Sequence, residues 1–65
     1  MTLFGYDENG ELAFRQGPFT FDHEAIEMFE KEKADMRHNK IFHLSLEKTY
    51  LEQSHRMRVY LSEAR

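Results

Sequence analysis

Cysteine is absent from this 65-residue chain, which excludes a disulfide framework and a thiolate metal site. Nothing in that absence requires an oxidising compartment. No apolar run approaches the roughly 20 residues that a membrane-spanning helix needs. The opening residues, MTLFGYDENG, lack the basic and long apolar parts of a signal peptide. The expectation is a cytoplasmic protein without a membrane association. Glycine is scarce, at three residues, and builds no phosphate-cradling loop. Ser45, Ser54 and Ser62 lie in no nucleophile-elbow sequence. Repeats, low-complexity tracts and linkers are also missing, so residues 1–65 read as a single domain.

Aromatic residues are plentiful: six Phe and three Tyr. A chain this short buries only about 60% of its unfolded surface. It therefore needs a well-packed core or a partner, self-association included. The aromatic content and the periodicity of the sequence set it apart from a disordered, charge-rich segment.

The segment Asp22–His38, DHEAIEMFEKEKADMRH, reads as a helix from several independent signals. Asp22 suits the N-cap, since its carboxylate can accept from free first-turn amides. Phe21 and Ile26 have the spacing of a hydrophobic staple. Glu24 falls in the first turn, and Arg37, His38 and Lys40 at or beyond the last, as the helix dipole favours. Asn39 is expected as the left-handed stop. Ala25, Ile26, Phe29 and Met36 share a narrow stripe, flanked by Glu32 and Lys33, that suits covering one side of a small sheet. Glu27 and Lys31 have the spacing of a favourable intrahelical pair.

Net charge is 9 − 12 = −3. Within Asp22–His38 there are three bases and six acids, 3 − 6 = −3, so the whole excess lies on the helix. A solvated helix face accounts for this. An acidic surface offered to a basic partner, centred on Glu27 and Glu30, is the sharper alternative.

Before the helix, Thr2–Tyr6 and Glu11–Gln16 flank Asp7-Glu8-Asn9-Gly10, a strong hairpin signal because Asn and Gly tolerate positive φ. Alternation places Phe4, Tyr6, Leu12 and Phe14 on one face under the helix, and Leu3, Ala13 and Arg15 on the other. Gly17-Pro18 ends the second strand, and Phe19 and Phe21 are expected as lids on the core.

After Asn39 two readings compete. As strands, Phe42, Leu44 and Leu46 alternate with His43, Ser45 and Glu47. Met57, Val59 and Leu61 alternate with Arg58, Tyr60 and Ser62, and residues 49–55 join the two runs. As a helix capped by Ser45, Leu46, Tyr50, Met57, Leu61 and Ala64 share a face, with good helix formers around them. The strand reading is preferred because a lone hairpin wants further strands beside it. The expected fold is α+β: a ββαββ two-layer domain with a mainly antiparallel four-stranded sheet and one helix. The alternative is ββαβα, with a C-terminal helix.

Four histidines, His23, His38, His43 and His55, match no metal-binding spacing, although the strand reading lets His43 and His55 approach across the hairpin. The carboxylates sit on a basic-flanked helix with no apolar pocket to raise a pKa. The expectation is no enzyme, no metal and no cofactor. Binding is the better reading. The sheet face away from the helix is expected to carry Arg15, His43, Arg58 and Tyr60, with Arg56 and Tyr50 near its edge. Arg, Tyr and His are the residue types of interface hot spots. The expected function is a small protein-binding protein, an inhibitor or adaptor that occludes a larger target. By analogy of size and composition, such proteins are encoded by phages or mobile elements and act on host polymerases, nucleases or defence complexes. The alternative is a nucleic-acid-binding module using the Arg/Tyr face, which the negative charge disfavours. Pairing of exposed sheet edges across a two-fold axis would instead make a homodimer.

Overall fold

The computed structural model describes residues 1–50 and 56–65, apart from the side chains of Tyr50 and Arg56. Its elements are β1 (Thr2–Tyr6), β2 (Leu12–Gln16), α1 (Asp22–Ala34), β3 (His43–Tyr50) and β4 (Arg56–Ala64). The strands form one antiparallel sheet in the order β2-β1-β3-β4. The helix packs on one face of it, against β1 and β3. This is the ββαββ arrangement. In the described part of residues 45–64, alternation prevails over helix propensity, because strands there extend the sheet that the helix stripe needs as its floor.

The first hairpin is set by its turn. The Asp7 carbonyl accepts from Gly10 N–H at 3.0 Å, and Gly10 takes a φ of 78°. Asp7 Oδ1 also accepts from the Asn9 and Glu11 amides, at 2.9 and 3.0 Å. One carboxylate oxygen thus holds two loop amides that the sheet ladder does not satisfy.

The helix departs from expectation at both ends. The N-cap position is Phe21, extended at φ −117° and ψ 137°, with no side-chain cap bond. Asp22 is the first helical residue, and its carboxylate accepts from Lys48 Nζ of β3 at 3.2 Å. Phe21 is exposed and stacks on His23 at 5.7 Å between ring centroids, whereas Phe19 does pack against the core. The regular helix ends at Ala34, not His38, and residues 35–40 continue as turns, in which Asn39 N–H donates to Asp35 O at 3.0 Å. Asp35 N–H donates to Glu32 O at 3.2 Å and Met36 N–H to Lys33 O, a tightening common at helix ends. The left-handed residue is Lys40, φ 57°, one beyond Asn39. Around it, Ile41 N–H donates to Met36 O at 2.8 Å and Lys40 N–H to Arg37 O at 3.2 Å. These are the two bonds of a Schellman closure, and its hydrophobic pair, Met36 and Ile41, is buried.

The core contains Leu3, Ala25, Phe29, Met36, Ile41, Leu44 and Leu46; Leu3, Leu44 and Leu46 are 0% exposed. Ala25, Phe29 and Met36 are the anticipated helix stripe. On β1 the anticipated faces are reversed. Leu3 pairs with Leu46, and Gly5 with Leu44, so Leu3 and Gly5 face the helix. Phe4 and Tyr6 turn to the other side. The cause is Gly5, which leaves room over β1. The Phe14 ring fills it so closely that a Cβ on Gly5 would collide with Phe14 Cε2.

Each edge strand carries one extra residue. In β2, Phe14 opposes Gly5 and Leu12 opposes Tyr6, which leaves Ala13 unmatched. In β4, Leu61 opposes Leu46 and Val59 opposes Glu47, which leaves Tyr60 unmatched. A bulge of this kind resets which face the following side chains take.

Candidate interaction surfaces

The register defines the sheet face away from the helix row by row. One row runs Leu12, Tyr6, His43, Ala64; the next runs Arg15, Phe4, Ser45, Ser62; the third joins Thr2, Glu47 and Val59. Thr49 and Met57 extend it. Tyr6 and His43 stack, with ring centroids 5.4 Å apart. Ser45, only 2% exposed, donates its hydroxyl to Glu47 Oε2 at 3.1 Å, so the centre of this face holds a satisfied polar pair. The outer strands expose apolar side chains instead: Leu12 is 55% exposed and Val59 60%, with Met57 also exposed.

Arg15 and His43 therefore lie on this face as anticipated. Arg58 does not. It pairs with Lys48, whose ammonium reaches Asp22 of α1, so both belong to the helix side. The bulge at Tyr60 is the reason: regular alternation would have sent Arg58 outward. Tyr60 is the exposed bulge residue itself. The anticipated contributions of the Tyr50 and Arg56 side chains, and the approach of His43 to His55, lie outside the described residues. Among the described residues, Arg15 is the only Arg or Lys that the register assigns to the open face. The basic array needed for phosphate contacts along it is thus not assembled there.

On the helix, Glu27 and Glu30 are exposed. Glu27 lines a shallow groove of about 330 Å³ with Phe19, Glu24, Met28 and Lys31. Lys31 in that groove offsets part of its charge.

A third surface was not anticipated. At the end of the sheet, Arg37, Lys40 and Arg65 line a cleft of about 360 Å³ together with Phe42 and with Asp7, Glu8 and Asn9 of the first turn. Arg65 is held in place: its guanidinium lies 4.5 Å from the Phe42 ring centroid, and Nη1 donates to Ile41 O at 3.4 Å. Sequence spacing conceals this group, because Arg65 meets Arg37 and Lys40 only through folding. Among the described residues, no three His, Asp or Glu side chains gather as a metal-binding set. No helix formed by them is long and apolar enough to cross a membrane. No protein-family model matches the chain, and no curated protein or solved structure matches it either.

Proposed function

We propose that this chain is a small non-enzymatic protein-binding module that docks a larger protein with the sheet face turned away from its helix, acting as an inhibitor or adaptor by covering part of that partner. The observation that supports this reading is the exposure of Leu12, Met57 and Val59 on that face: Leu12 lies in the row of the Tyr6–His43 stack, and Val59 and Met57 lie further along the sheet, opposite Glu47 and Thr49. Exposed apolar side chains together with stacked aromatic rings are the composition of an interface centre. A partner surface of similar character, apolar with a carboxylate placed to meet Arg15, suits it. Nucleic acid suits it poorly, since among the described residues the register assigns one cation, Arg15, to this face.

The test is capture of partners from a cell lysate by the immobilised protein, with and without nuclease, using the natural chain beside M57K/V59K. A specific protein retained after nuclease by the natural chain, but lost by the double variant, supports the reading. Retention that persists in M57K/V59K moves the interface elsewhere, and retention that disappears with nuclease replaces the reading by a nucleic-acid one.

A further inference from the structure

Independently of the docking face, we infer that the cleft at the end of the sheet is a binding site for a compact phosphate-bearing small molecule. Arg37, Lys40 and Arg65 come from two segments far apart in sequence and line one cavity. With Asp7 and Glu8 the charged side chains of the cleft sum to 3 − 2 = +1, in a chain whose total is −3. The two signs are not joined. Among the described residues the ion pairs are Lys33–Glu63 and Lys48–Asp22, and neither belongs to this cleft. Three cations around one cavity, offset only in part by Asp7 and Glu8, favour a further anion among them. Two of them are arginines, whose planar forks match phosphate oxygens and whose charge is permanent.

The site is also built rather than merely charged. The Schellman closure fixes the backbone of Arg37 and Lys40. The Phe42 ring and the Ile41 carbonyl hold the Arg65 guanidinium. Asp7 is held by its own turn amides. The backbone and the Arg65 guanidinium are thus set in advance, and the exposed side chains of Arg37 and Lys40 are what binding would order. The acidic part of the lining narrows the ligand class. A long polyanion entering the cleft would meet Asp7 and Glu8, whereas the hydroxyl or amino groups of a small phosphate ester would donate to them. A cavity of about 360 Å³ accommodates a small molecule. A nucleotide and free inorganic phosphate share the chemistry recognised by the three cations.

The experiment is an amide-resolved NMR titration of the full chain with AMP, inorganic phosphate and adenosine, repeated on R37Q/K40G. Glycine suits the positive φ of residue 40, so this variant removes two cations while keeping the fold, and its thermal midpoint serves as the control. The expected result is saturable shifts at Arg37, Lys40, Phe42 and Arg65 with AMP, none with adenosine, and affinity reduced at least about tenfold in R37Q/K40G. Equal binding of AMP and inorganic phosphate would also support the site, with the phosphate group as the whole ligand. Absence of saturable shifts at these four residues up to about 10 mM ligand would overturn it. So would shifts spread equally over Arg15 and Lys31, or unchanged affinity in a folded R37Q/K40G. M57K/V59K leaves the cleft intact, so failure of the docking reading does not carry over to this one.

Discussion

The inner strands β1 and β3 and the outer strands β2 and β4 obey different rules. The inner pair alternates without interruption in its mutual register, and its inward residues Leu3, Leu44 and Leu46 are fully buried. The outer pair carries a bulge in each member and exposes Leu12, Met57 and Val59. Periodicity reports the face of a side chain where both neighbours enforce the register. Where only one neighbour does, a single extra residue can reverse it. Stability is expected to concentrate in the inner pair and recognition in the outer one.

Substitutions can break or sharpen this contrast. The largest effect is expected at the centre. Leu46→Ala removes a fully buried side chain between Leu3 and Leu61 and should cost about 2–5 kcal/mol. Val59→Ala on the edge should stay within about 0.5 kcal/mol. Denaturant unfolding of both variants checks the difference, and equal losses would abolish the contrast. Next comes Gly5→Ala, whose new methyl group meets the Phe14 ring. The expected loss is about 1–3 kcal/mol. In the background of Phe14→Leu the same change should cost less, because the obstructing ring is gone; a double-mutant cycle reads that coupling. The smallest effect belongs to Asp22→Asn, which breaks the partly exposed pair with Lys48 that ties the helix start to β3. A loss under about 1 kcal/mol, shrinking further in high salt, is expected. Thermal unfolding at two ionic strengths measures it.

The same division explains how much was legible in the sequence. Element order, the Asp7–Gly10 turn and the leucines of β3 follow from local pattern, as does the helix stripe through Phe29. Two things do not. Gly5 hides the inward face of β1, because a glycine that receives a neighbour's ring looks like a gap in a hydrophobic pattern. Tyr60 hides the true face of Arg58, because strand sequence carries no mark of a bulge that only the pairing with β3 reveals. The anticipated Arg/Tyr face therefore kept Arg15 and His43 and lost Arg58 to the helix side. The cleft lined by Arg37, Lys40 and Arg65 lay beyond spacing altogether. Its members are brought together by the Schellman closure at one end and the pairing of β4 at the other.

The unmatched residues Ala13 and Tyr60 also decide how the molecule can meet its surroundings. A foreign strand laid along either rim would fall out of step at the extra residue, since its hydrogen-bond spacing is even and that of the rim is not. On β4 this leaves 56–59 and 61–64 as separate short stretches, and neither offers a long template. Sideways growth into fibrils or continuous two-chain sheets is thereby discouraged at both margins. The sheet is closed along its sides and open across its breadth, so contacts with other macromolecules are steered toward side chains on its broad surface instead of backbone at its rim.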